Sequence, residues 1–140
     1  MQTQNQDVDL RIRSMRVLWI ALIMSIAGYF VVTLFKQRSE DLQPNTMLSL
    51  IFAVIAVSTT LISLPIKSKL LSKAIDPGQV QQAYVVAWAV TEVGALLGVL
   101  DYFLTTNRYY YVPFLIALCG QLLHFPRSEH VMNASFRPSL

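Results

Sequence analysis

"VVAWAVTEVGALLGVLDYFL", residues 85–104, holds only two charged side chains, Glu92 near its middle and Asp101 near its end. About 20 helical residues at 1.5 Å each cover the roughly 30 Å of a bilayer's hydrocarbon core. A helix on a soluble protein keeps a polar face, and this stretch keeps none. It reads as a membrane span, so the question it raises is how a span tolerates two acids.

The whole composition agrees with that reading. The chain is 54% hydrophobic and 14% charged with a mean hydropathy of +0.49, against about 45–50% and about 25% for soluble domains. Apolar residues fall in blocks rather than at amphipathic spacing. Four blocks reach or approach spanning length: residues 17–35, 47–66, 82–105 and 110–125. The last is short and contains Pro113, which a helix tolerates in its first turn, where the missing N–H has no helical partner anyway. A buried hairpin that does not span is the alternative for this region. Residues 1–16 and 127–140 are polar tails, and their ends are expected to be poorly ordered.

Punctuation between the blocks is local and specific. Pro44 and Asn45 give a stop and then a cap for the second span. Asp76-Pro77-Gly78-Gln79 offers a cap, a proline at the first helical position and an amide at capping-box spacing, so the third helix starts near Pro77. The connection Thr106-Asn107-Arg108 is too short for anything but an antiparallel hairpin of the third and fourth helices.

Orientation follows from the basic residues. Arg11, Arg13, Arg16, Lys67, Lys69, Lys73, Arg127 and Arg137 fall on one side, and Lys36, Arg38 and Arg108 on the other. The positive-inside bias places both termini in the cytoplasm. Tyr29, Phe30, Phe35, Tyr102, Phe103, Tyr109, Tyr110 and Tyr111 gather at the outer boundary, Trp19 and Phe125 at the inner one. The net charge of +3 then reflects topology and attraction to anionic lipid rather than nucleic acid. Lys67, Lys69 and Lys73 are the candidate surface for lipid or a partner subunit. The first span resembles a signal sequence in its basic flank and in Ser25-Ile26-Ala27, but its apolar run continues through Leu34, as in an uncleaved helix.

A charged residue at mid-span costs about 2.5–3.5 kcal/mol, and each Leu, Ile, Phe or Val returns only about 0.3–0.6. Glu92 should therefore face protein or water. Asp101, about a turn from the outer boundary, is expected within reach of headgroups, water or Arg108. Nine residues at about 100° set the two acids on opposite faces of one helix and about 13 Å apart along it, which excludes a carboxylate dyad. Asp101 shares its face with Ala87, Thr91, Gly94 and Gly98, a small-residue stripe that lets helices approach closely. Both faces should be occupied, which makes this the central helix. Ser58, Thr59, Thr60 and Gln121 are the expected partners of Glu92, with His124 nearer the cytoplasmic end.

Thr91-Glu92-Val93-Gly94-Ala95-Leu96-Leu97-Gly98 resembles the ion-carrying helix of rotary ATP synthase proteolipid (c) subunits. That resemblance implies an ion-binding carboxylate at Glu92. It covers one helix of four. The first span lacks that family's glycine-rich repeat, no polar hairpin loop of its type is present, and Glu92 lies in the third helix. As a whole the chain looks like small bacterial membrane proteins, a likeness that implies no activity.

Other chemistry has little footing. His124, His130 and Cys119 lack the spacing of a metal or haem site. No phosphate loop, activated serine or basic-aromatic pattern is present. The expectation is an all-α integral membrane four-helix bundle forming a single domain over residues 1–140, with no enzymatic activity, no cofactor and no nucleic-acid partner. It would sit in a bacterial-type inner (plasma) membrane and play a structural or accessory role in a larger complex or homo-oligomer. The candidate residues are Glu92, Asp101, Gly94, Gly98, Thr91, Gln121 and His124. Proton or cation translocation through Glu92 is the alternative.

Overall fold

The computed structural model describes residues 2–35 and 44–135, with side chains from 8 to 35 and from 44 to 134. Among the described residues the chain is all-helical: α1 (Gln2–Phe35), α2 (Thr46–Lys73), α3 (Pro77–Thr105), α4 (Val112–Leu123) and α5 (Ser128–Ser135). Three of these are long and apolar enough to cross a membrane, namely α1 over Val8–Phe35, α2 and α3. Lys36, Arg38 and Arg137, which enter the charge bias, lie outside the described residues.

The expected punctuation is present. Asn45 Oδ1 accepts from Leu48 N at 3.0 Å, and Asp76 Oδ1 accepts from Gly78 N at 2.7 Å and from Gln79 N at 3.0 Å, with Pro77 in the first turn. Gln79 Oε1 returns the bond one residue earlier than a standard box, accepting from Ile75 N at 2.9 Å. Pro113 lies in the first turn of α4.

Three features differ from the sequence reading. The fourth apolar block forms a helix of 12 residues, about 18 Å long, where the block 110–125 suggested more. Both polar tails carry helix: α1 begins at Gln2, and α5 occupies Ser128–Ser135. The helices therefore number five among the described residues, not four. An eight-residue polar helix is not stable alone. Packing holds α5, through Val131 and Ala134 buried against Met15, Ala74, Val80, Tyr84 and Trp88.

Side-chain contacts fix the topology. Asn45 N donates to Thr105 O, Ser49 meets Asp101, and Lys67 lies over Tyr84, so α2 runs antiparallel to α3. Along α4 the ring pair Tyr110–Tyr102, the approach of Phe114 to Gly98, the approach of Ala117 to Gly94 and the bond from Arg127 N to Tyr84 keep an antiparallel register with α3. Residues 110–127 thus retrace α3 from Tyr102 to Tyr84, about 27 Å at helical rise, although their regular helix is shorter. α1 runs parallel to α3, with Trp19 bonded to Gln121 O and Ser25 to Glu92. α3 touches every other helix. Its central position matches the sequence reading.

Candidate functional site

The small-residue stripe of α3 is its closest-packed face, because Ala87, Thr91, Gly94, Gly98 and Asp101 are all buried. A Cβ added at Gly94 would stand 3.3 Å from Ala117 Cβ and 3.4 Å from Ala56 Cβ, and one at Gly98 would stand 2.6 Å from the Phe114 ring. The stripe is therefore consumed inside the chain, packing α3 on α2 and α4. Glycine at these two positions lets the backbones meet.

Glu92 meets a protein neighbour, as its depth suggested, but through a different helix, and Asp101 is more deeply buried in the protein than its place near the outer boundary suggested. Asp101 is fully buried at 0% exposure, away from Arg108. Its Oδ2 accepts from Ser49 Oγ on α2 at 2.7 Å, and its Oδ1 lies 2.5 Å from Thr105 Oγ1, which also reaches Asp101 O at 2.8 Å. Arg108 instead bonds to Tyr109 Oη and lies over that ring. Glu92 is only half-buried, and Ser25 Oγ of α1 donates to its Oε1 at 2.9 Å. None of the anticipated partners reaches it. Ser58 bonds to Val54 O and Thr59 to Ala56 O, while Gln121 Nε2 donates to Trp88 O. The reason is rotational: Glu92 points at α1, whereas those groups belong to the α2–α4 side of α3.

Toward the other end, a second buried polar cluster joins α2, α3 and α4. Ser63 Oγ donates to Thr60 O at 2.6 Å and lies 2.7 Å from His124 Nε2. A serine hydroxyl has one proton, so which of Ser63 and His124 donates in this contact is set by the histidine tautomer. Trp88 Nε1 donates to His124 O at 2.9 Å, and Trp19 Nε1 to Gln121 O at 2.8 Å. Thr60 Oγ1, Gln121 Oε1 and His124 Nδ1 are buried without a hydrogen-bond partner. Thr91 Oγ1 turns back to Trp88 O within its own helix.

Where α5 docks, Tyr84 is a hub. Its Oη lies 2.7 Å from His130 Nδ1 and accepts from Arg127 N at 3.2 Å, and Lys67 Nζ stands 5.3 Å from its ring centroid. The lysine trio divides here. Lys67 is half-buried against Tyr84, whereas Lys69 and Lys73 are exposed. Cys119 is exposed on α4, and His124 and His130 face different partners. Among the described residues no three His, Cys, Asp or Glu side chains converge as metal ligands.

Burial, and then the charges of Lys67 and Arg127, hold His130 below its ordinary value, with Glu129 opposing. The folded state therefore binds this proton less well than the unfolded one. The resulting stabilisation is complete above about pH 6.5 and is lost as pH falls below it. Amide hydrogen exchange, corrected for intrinsic rates, should show α5 losing protection between about pH 7 and about pH 5. His130→Gln should flatten that dependence, and a wild-type profile flat across this range would disprove the linkage.

Sequence reasoning missed Ser25, Ser49, Ser63, Tyr84, Trp88 and Thr105 as structural partners. Only the coincidence of hydroxyl and acid depths on antiparallel neighbours, such as Ser49 with Asp101, signalled any of them. Compared with protein-family models, with curated proteins and with solved structures, the chain matches none.

Proposed function

We propose that this chain is a multi-pass protein of a bacterial-type inner membrane, crossed by α1, α2, α3 and the segment 110–127, with both ends in the cytoplasm. We further propose a structural or accessory role, exerted by helix packing within a larger membrane complex or a homo-oligomer. The register of 110–127 along α3 supports the fourth crossing. Counted along the sequence, Arg11, Arg13, Arg16, Lys67, Lys69, Lys73, Arg127 and Arg137 on one side, against Lys36, Arg38 and Arg108 on the other, support the orientation.

One observation carries the structural role. The two buried polar clusters, around Asp101 and around His124, are separated by a layer in which Ala56, Ala117 and Phe114 pack so close to Gly94 and Gly98 that a Cβ added at either glycine would meet them at 3.4 Å or less. A conduit requires polar groups or water along its length. Several of the interior polar groups instead make hydrogen bonds between helices, Ser49 with Asp101, Ser63 with His124, Gln121 with Trp88 O and Trp88 with His124 O, which tie α2, α3 and α4 in register.

Glu92 then acts as a hydrogen-bonding acid at the α1–α3 seam. Glu92→Gln should leave assembly unchanged, because the amide oxygen still accepts from Ser25. Glu92→Leu should cost about 0.6 kcal/mol and at most about 1.7, the range for hydrogen bonds between membrane helices. Proton flux into liposomes containing the purified chain should not depend on either change. Flux abolished by Glu92→Gln at unchanged stability would replace this reading with translocation.

A further inference from the structure

We propose that Lys67, Arg127 and His130, gathered around Tyr84, form a niche for the phosphate of an anionic phospholipid headgroup. The proposal rests on the membrane reading above and sharpens it, since it narrows the basic end of the bundle to one place.

Three elements bring cationic or titratable groups to a single tyrosine. Lys67 comes from α2 with its ammonium over the ring, His130 from α5 with Nδ1 2.7 Å from Oη, and Arg127 from the link after α4, where its backbone N–H donates to Oη. Lys67 is half-buried, and the exposed Arg127 side chain is near enough for its charge to act on His130. Of the nearby acids, Glu129, exposed in the first turn of α5, partly offsets the charge at His130, while Asp76 is spent on capping α3 through its Oδ1. His130 also borders a separate, mostly aliphatic recess of about 130 Å³ that neither Lys67 nor Arg127 lines, so the phosphate would sit at the open face of the cluster rather than in that recess. Positive charge held partly out of water favours a bound anion, because each unit of attraction is screened less there than at the open surface. The niche lies at the end of the bundle where the apolar part of α2 gives way to Lys67, Lys69 and Lys73, the depth of lipid phosphates. His130 protonates toward acid pH and would add to the attraction, while a bound phosphate would relieve the repulsion that its charged form meets from Lys67 and Arg127.

The test uses the full chain in mild detergent and native mass spectrometry, titrated separately with phosphatidylglycerol and phosphatidylcholine. Wild type should retain phosphatidylglycerol at least about ten-fold better. Lys67→Gln and Arg127→Gln should each reduce that preference about five-fold, the effect of one cation at a membrane surface. The double change Lys69→Gln, Lys73→Gln should alter it less than about two-fold, because both are exposed, whereas the ammonium over the Tyr84 ring is that of Lys67. The exposed position of Arg127 keeps its variant folded even if the Lys67 variant fails. Equal losses in the niche and control variants, or none in either, would overturn the niche. Release of bound phosphatidylglycerol by excess inorganic phosphate would overturn the lipid as its source. Chain that stays monodisperse without detergent would instead overturn the membrane reading, so the two failures are distinguishable.

Discussion

Trp88→Ala is expected to lower the unfolding free energy of the bundle by about 3–5 kcal/mol. Trp88 is fully buried, with its ring 5.7 Å from that of Tyr84 and in the same cluster as Met15, Val80 and Val131. Lipid is as apolar as a leucine side chain, so the transfer part of this cost is smaller in a bilayer than in water. The cavity part remains, because neighbours on α1, α3 and α5 relax only partly into the space. The indole N–H also closes the carboxyl end of α4 by donating to His124 O. Trp88→Phe keeps most of the volume but loses that bond and part of the ring, so it should cost about 1–3 kcal/mol, less than Trp88→Ala. Reversible unfolding in mixed micelles, followed by circular dichroism, measures both. A cost for Trp88→Ala no larger than that for Trp88→Phe would show that the side chain is not packed as described.

What the sequence made legible was what depends on neighbours along the chain. Asn45 and Asp76 cap helices and Pro113 starts one because capping is decided within four residues. The hairpin of α3 and α4 followed from the shortness of its connection. The opposition of Glu92 and Asp101 followed from helical pitch, and they do meet different helices, α1 and α2. Which acid lies inside was not legible from depth alone, because cost in lipid says nothing about which face meets protein. The stripe Ala87-Thr91-Gly94-Gly98 held that information: the face built for the closest helix approach is the buried one, and Asp101 lies on it. The α5 helix was hidden for a different reason. Val131, Ala134 and the bond of His130 to Tyr84 anchor it, and their value comes from Met15 and Tyr84, which are distant in sequence.

Asp101 should give opposite signs in two experiments. As a residue near the end of a membrane span, Asp101→Leu should favour insertion of α3, by less than the roughly 3 kcal/mol the same exchange brings at mid-span, since an acid is replaced by one of the best inserting side chains. The same change should destabilise the folded bundle by about 2–3 kcal/mol. Ser49 on α2 loses its acceptor at 2.7 Å, Thr105 loses one of its two contacts at the end of α3, and the branched side chain enters a site with no exposed surface. Thr105 keeps the backbone oxygen of position 101, and Ser49 can turn to a carbonyl of its own helix, which limits the loss. Asp101→Asn should cost less than about 1 kcal/mol, because its oxygen still accepts from Ser49 and its amide can donate to Thr105 while Thr105 donates to the main chain. Translocon-insertion assays on α3 and unfolding of the whole chain in mixed micelles read the two quantities separately. A leucine variant that inserts better and also unfolds no more easily would mean that Asp101 does not hold α2 to α3. In that case the register of the bundle would rest on the close approach at Gly94 and Gly98 alone.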